Sequence, residues 1–252
     1  MGRRLGALAG CLLAAVATTA RAQAFDGWAS AFIAGDWRDG QGQPIGAFDN
    51  ARRDLSLAFQ AAGFSENDMV SVSLGPEADA PTSTDVLALF QGAATRARDG
   101  CLFYVTSHGS PDGVVFGPEA TLAPEHLISL MRRLCGERPT VVVVSACFSG
   151  VFVDGLKAPN RMVMTAARRD RSSFGCGTDA VYPYFDECML KSLPDSADFI
   201  ALSRATTTCV AAREEEEGLS PPSEPQTFVG AEMQQLLPIL RFRPAAGDRP
   251  GS

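Results

Sequence analysis

Two short stretches hold residues able to do covalent chemistry. In "VVVVSACFSG", Val141 to Gly150, a cysteine follows directly on an apolar run, and in "YVTSHGS", Tyr104 to Ser110, a histidine stands between Ser107 and Gly109. A free thiol of pKa about 8.5 is mostly protonated at neutral pH, yet only the thiolate attacks. An imidazole beside it takes that proton and later returns one to a leaving amine, the pattern of nucleophilic acyl transfer. Cys147 is therefore the candidate nucleophile and His108 the candidate general base and acid. The tetrahedral intermediate needs N–H donors, and the backbone amides of Gly109 and Cys147 are the candidates for that oxyanion hole. Gly109 suits the task because it has no side chain to keep a substrate carbonyl away from the backbone. Free cysteine is also a common small core residue, so placement must decide its role. The other histidine, His126, falls in a helical pattern after Pro124 and reads as a polar residue on the solvent face.

Short apolar runs alternate with helical patterns along most of the chain. Strands are expected at Trp28 to Ala34, Met69 to Leu74, Cys101 to Thr106, Thr140 to Ala146, Arg161 to Ala166 and Gln226 to Val229, with a small hairpin near Val114 to Phe116. Helices are expected at Asp49 to Ala62, from a Thr82 or Ser83 cap to Ala97, from Pro124 to Leu134, at Tyr184 to Leu193 and at Ala197 to Glu216. The run "EEEE", Glu214 to Glu217, reads as a solvated helix end whose carboxylates oppose the helix dipole and fray it. Strand and helix in alternation imply a mostly parallel sheet with helices on both faces. In such a sheet, sites form beyond the carboxyl ends of the strands. His108 lies just past "CLFYVT" and Cys147 just past "VVVVSA", 39 positions apart, a separation that suits one crossover between parallel strands. Neighbouring strands run about 4.8 Å apart, so adjacency would bring imidazole and thiol to one rim.

The first residues have the layout of a secretory signal peptide, residues 1–24: Arg3 and Arg4, an apolar run from Leu5 to Ala20, and small-x-small sites ending at Ala22 and Ala24. The run is shorter than the roughly 20 residues of a membrane span, so no stable membrane insertion is expected after cleavage. A lipid-modified Cys11 would strand "LLAAVATTA" in the mature protein, and Arg3-Arg4 lacks the neighbours of a twin-arginine motif. The expected location is periplasmic or extracellular. Removal of the segment takes away three arginines and no acids, which moves the formal charge from -7 to -10. That sign argues against nucleic acid or anionic lipid as partners. One domain is expected over 25–245, with a flexible tail at 246–252. Six cysteines remain, namely Cys101, Cys135, Cys147, Cys176, Cys188 and Cys209, without a C-x-x-C spacing or a histidine pair. Neither a dithiol redox motif nor a metal site is indicated, and the disulfide connectivity stays open.

"YVTSHGS" followed by "VVVVSACFSG" resembles the His-Gly and Ala-Cys pair of caspase-like cysteine peptidases, with the legumain family, peptidase family C13, as the best match. The likeness continues through "MTAARRDRSSFGCGTDAVYPYFDE" and through "AGDW" and "FDNARRDL" near the start, and "SEPQTFVG" is similar to bacterial members. The resemblance implies a three-layer α/β/α sandwich around a mostly parallel six-stranded sheet, a His108/Cys147 dyad, no metal and no cofactor. It also implies that Ser145, Ser173 and Glu187 belong to the substrate pocket. Plant and animal members carry Glu two before and one after the cysteine, where this chain has Ser145 and Phe148, and an Arg-His pair where Ala47-Phe48 falls. If Glu187 points into a pocket that lacks a matching arginine, a basic substrate residue is expected there.

The expected function is thus that of an exported cysteine endopeptidase acting on peptides or proteins through a thioester on Cys147. Transpeptidation by the same dyad, a non-catalytic binding module of the same fold, and a thiol redox protein are the alternatives; the last needs a resolving cysteine, which the spacings do not supply. Asp49 and Asn50 are candidates for the group that orients His108.

Overall fold

The computed structural model describes residues 24–76, 80–118 and 120–244. The expected signal segment, apart from Ala24, and the expected tail lie outside these residues. Six strands form the central sheet: β1 (Trp28–Ala34), β2 (Met69–Ser73), β3 (Gly100–Thr106), β4 (Thr140–Ser145), β5 (Arg161–Thr165) and β6 (Gln226–Val229). Their order across the sheet is β2-β1-β3-β4-β5-β6, with β6 alone antiparallel to its neighbour. Five helices cover it: α1 (Ala47–Ala61), α2 (Ser83–Arg96), α3 (Pro124–Leu134), α4 (Tyr184–Ser192) and α5 (Phe199–Glu216). The expected three-layer α/β/α sandwich is what forms.

Successive side chains of a strand point to opposite faces, which splits the core in two. Ala29, Ala31 and Ile33 of β1 pack with Val86 and Phe90 of α2 and Leu127 and Met131 of α3. Trp28 and Phe32 pack on the other face with Leu55 and Phe59 of α1, Met189 of α4 and Leu202 of α5. Strands β1, β3, β4 and β5 are buried along their whole length, which is why they read as continuous apolar runs. Two disulfides fasten helices to this frame: Cys101–Cys135 joins β3 to the end of α3, and Cys188–Cys209 joins α4 to α5. Loop closure of that length contributes about 3 to 4 kcal/mol each in a chain-entropy account.

Several boundaries differ from those expected. Helix α5 begins at Phe199 because the Asp198 carboxylate accepts the amides of Ile200 and Ala201. The expected hairpin is a three-stranded antiparallel sheet of Gly109–Ser110, Gly113–Val115 and Thr121–Leu122. Short helices at Val153–Leu156 and Ala231–Leu236 are too brief to show a period in sequence. Glu215, Glu216 and Glu217 of the "EEEE" run are exposed at the helix end as expected, and Glu214 alone departs from that reading. Glu214 is buried and accepts the Ser223 amide at 3.0 Å, while Glu217 is held by the Tyr184 hydroxyl and by Arg213.

Candidate active site

Order in the sheet reverses between β1 and β3, since the chain leaves β1 for β2 on one side and returns to β3 on the other. A crevice opens at such a switch point beyond the strand ends. Thr106 of β3 is in register with Ser145 of β4, and the Ser107 amide donates to the Ser145 carbonyl at 3.0 Å. His108 and Cys147 each follow that matched pair by two residues. The fold therefore brings them to one rim of the sheet, both half-buried, with the His108 charge acting on the Cys147 sulfur.

His108 is held from the β1 side. Its Nε2 lies 2.7 Å from the Arg38 carbonyl, and the edge of Phe48 meets its ring with centroids 5.0 Å apart. A carbonyl can only accept, so Nε2 carries hydrogen and Nδ1 is left as the ring's proton acceptor. Asp36 fixes the loop that presents this carbonyl: its Oδ1 accepts the Trp37 amide at 2.8 Å, the Arg38 amide at 3.2 Å and Arg38 Nε at 2.9 Å. Asp49 and Asn50, the expected orienting groups, are engaged elsewhere. Asp49 pairs with Arg52, and Asn50 donates to the Val181 carbonyl and accepts from Arg53.

Cys147 leaves the strand through a tight turn. Phe148 takes φ 57° and ψ 10°, a left-handed conformation that costs a non-glycine residue about 1 to 2 kcal/mol. Strain of this kind collects at functional sites. The Ser173 amide donates to Cys147 Sγ at 3.3 Å, and Sγ lies 3.5 Å from the Ser173 carbonyl and 3.6 Å from its hydroxyl. Ser173 thus touches the nucleophile itself. A hydrogen bond from the Cys176 thiol, joined by the Ser173 hydroxyl and amide and by the His108 charge, outweighs partial burial and lowers the Cys147 thiol to about 5.

Gly109 lies against the nucleophile's backbone. The His108 carbonyl accepts the Val115 amide at 2.9 Å, so Gly109, opposite Val114, occupies the next, non-hydrogen-bonded position of the small sheet. Its N–H is therefore turned away from Val114. A side chain here would run into the Cys147 carbonyl and come within 2.9 Å of Ala146 Cβ.

Beneath the rim is a carboxylate that the sequence reading passed over. Asp186 is fully buried and accepts the Tyr104 hydroxyl at 2.6 Å, the Thr106 hydroxyl at 2.8 Å and the Ser145 hydroxyl. Ser145, expected in the substrate pocket, is only 2% exposed, and its hydroxyl is spent inside the protein. Burial raises Asp186 to about 6, against the opposing pull of those three hydroxyls. A raised carboxyl stabilises the fold fully below its unfolded value near 4, and that contribution is lost as pH rises through 6. The difference corresponds to about 3 kcal/mol at neutral pH. Asp186→Asn is expected to remove this contribution, so that the parent's urea midpoint, read relative to that of the variant, falls between pH 4 and 7. Parallel curves for the two proteins would contradict a buried, titrating Asp186.

A cavity of about 690 Å³ adjoins this loop, lined by Gly175, Gly177, Tyr182, Tyr184, Glu187 and Arg213 among others. Glu187 does line a pocket, but it has the matching arginine whose absence the basic-residue expectation required. Its carboxylate pairs with Arg213 and, at 2.7 Å, with Lys191, and Arg213 also stacks on the Tyr184 ring at 3.5 Å.

Comparison with known proteins agrees with this architecture. A family model described as the Peptidase C13 family matches residues 49–210, a span that includes His108, Cys147, Ser173 and Asp186 but begins after Arg38. Among solved structures, caspase-1 from Spodoptera frugiperda superposes with a TM-score of 0.61 at 13% identity, covering 88% of this chain and 94% of that one. At that identity the likeness is one of fold. No curated protein sequence matches the chain.

Proposed function

This chain belongs to the peptidase C13 family, and on that premise we propose that it is an exported cysteine endopeptidase. Cys147 attacks the carbonyl carbon of a peptide bond. The sulfur attacks as the thiolate, its proton already held on His108 Nδ1 while Nε2–H stays on the Arg38 carbonyl, and the imidazolium then protonates the departing amine. Water hydrolyses the thioester with His108 again taking a proton. The amides of Gly109 and Cys147 receive the oxyanion in both steps. The observation that carries this reading is the seating of His108 and Cys147 at matched ends of adjacent strands, with the Ser173 amide on the sulfur. The arginine-rich apolar leader is proposed to direct export, which amino-terminal sequencing of the exported protein checks: a start beyond Ala22 or Ala24 is expected.

The cavity beside the Ser173 loop is proposed to take the side chain preceding the cleaved bond. Glu187 and Arg213 together offer an acceptor and donors on one wall, which suits an uncharged polar side chain better than a lone cation. A peptide library read by mass spectrometry, with Cys147→Ala as control, tests turnover and preference together. Arg213→Ala together with Lys191→Ala removes both cations from the Glu187 carboxylate and is expected to raise cleavage after Lys or Arg by about tenfold relative to other residues. An unchanged preference would place specificity elsewhere, and no cleavage beyond the control would end the peptidase reading.

A further inference from the structure

Four cysteines of the domain are joined in disulfides, while Cys147 and Cys176 are free and half-buried. They lie 29 residues apart on separate segments, yet Ser173, three residues before Cys176, touches the Cys147 sulfur through its amide, carbonyl and hydroxyl, and each thiol is the foremost influence on the other's proton. The intervening geometry explains how. Ser173 is anchored on Cys147 Sγ by its amide, and Gly175 then turns the chain at φ 89°, packed so closely against Tyr184 that a Cβ would collide with it. Cys176 follows that turn directly. On its far side Gly177 has open space, with no atom within 4 Å of where a Cβ would stand. Cys176 thus stands between one fixed position and one unobstructed one.

We propose that Cys176 is a resolving cysteine: when a peroxide oxidises Cys147, the two form a reversible disulfide that switches the nucleophile off and shields it from irreversible oxidation. The Cys147 thiolate attacks one oxygen of hydrogen peroxide, forming an S–O bond and breaking O–O, and the hydroxide released leaves as water after taking a proton. Cys176 sulfur then attacks the sulfenic sulfur. The S–S bond forms, S–O breaks, and the departing hydroxide takes the Cys176 proton and leaves as a second water. The two sulfurs give up two electrons, and the peroxide accepts them. A dithiol reductant returns both thiols by exchange. The mutual influence of the two thiols sets the order of events. It favours the thiolate on Cys147, whereas the neighbouring Cys147 thiolate and burial push Cys176 upward and keep its proton in place until Cys147 has reacted. Without a resolving thiol, sulfenic acid proceeds to sulfinic and sulfonic acids, which thiols do not reverse.

The inference rests on two sulfurs and not on peptide cleavage, so its test reads sulfur chemistry directly. The full protein is treated with graded hydrogen peroxide, alkylated with iodoacetamide, digested without reduction and mapped by mass spectrometry. A peptide pair linked through Cys147 and Cys176 is expected to accumulate and to vanish on mild dithiothreitol that leaves Cys101–Cys135 joined. In Cys176→Ser and Cys176→Ala the link is lost and Cys147 accumulates as sulfinic and sulfonic acid. Irreversible oxidation of Cys147 in the parent at the rate seen in those variants, with Cys176 still open to alkylation, would overturn the proposal. The link forming in a protein that cleaves no peptide would sustain it while removing the peptidase reading.

Discussion

Alanine at position 147 is expected to reduce kcat/KM for a peptide substrate by at least about 10⁴-fold, to background, because it removes the nucleophile seated at the rim beside His108. Removal of the imidazole in His108→Ala is expected to cost about 10² to 10⁴-fold through lost proton transfer. The two variants separate the parts of the site when alkylation is measured beside hydrolysis. In the parent, Cys147 is lowered to about 5 by the Cys176 thiol first and then by Ser173 and His108. The thiolate is therefore present above that pH and is lost as pH falls through it, so iodoacetamide labelling at Cys147 should rise with a midpoint near 5. Cys176, pushed upward by its neighbour, should label slowly across the same range. In His108→Ala the Cys147 midpoint moves up, since one stabilising charge is gone. Equal labelling of both cysteines, with a midpoint in the ordinary thiol range, would mean that the rim does not activate the sulfur and would favour a binding module.

The parts of the site that were legible in sequence are those that strand register dictates. Strands buried on both faces show as unbroken apolar runs, so β1 falls where expected to the residue, and the crossover length puts His108 and Cys147 at neighbouring ends. The Arg38 carbonyl was invisible because every residue has one, and only the turn built by Asp36 makes it the partner of His108. Asp186 had a signal that went unread. It precedes the buried Met189 by three and Leu193 by seven, the spacing of one helical face, whereas its neighbour Glu187 points toward Arg213. Glu214 repeats the lesson, four residues after the buried Val210 on the inward face of α5. Chemistry drew attention to the acid in each region that charge made conspicuous, and periodicity would have picked the other. The influence of Cys176 on Cys147 had no signal at all, because a glycine-flanked loop has no period and the fold alone closes the 29-residue gap.

A methyl group at position 109 provides the sharpest separation between positioning the sulfur and stabilising the oxyanion. Gly109→Ala must move backbone, because its Cβ would collide with the Cys147 carbonyl and approach Ala146 Cβ to 2.9 Å. Neither neighbour can rotate aside, since one is main chain and the other is a methyl at the end of a buried strand. The displaced segment carries the N–H that the small sheet leaves unpaired, so the donor moves away from where negative charge develops. Loss of one such donor lowers kcat by about 10² to 10³-fold. Alkylation by iodoacetamide forms no tetrahedral oxyanion and needs only the thiolate, so Cys147 labelling in Gly109→Ala should keep its parental rate and its midpoint near 5 while hydrolysis falls. A variant in which both fall together has lost the geometry of the sulfur. A variant in which hydrolysis survives within a few-fold shows that the oxyanion is held by other donors, and His108 would then be flanked by glycine only to let β3 pass close to the turn at Cys147.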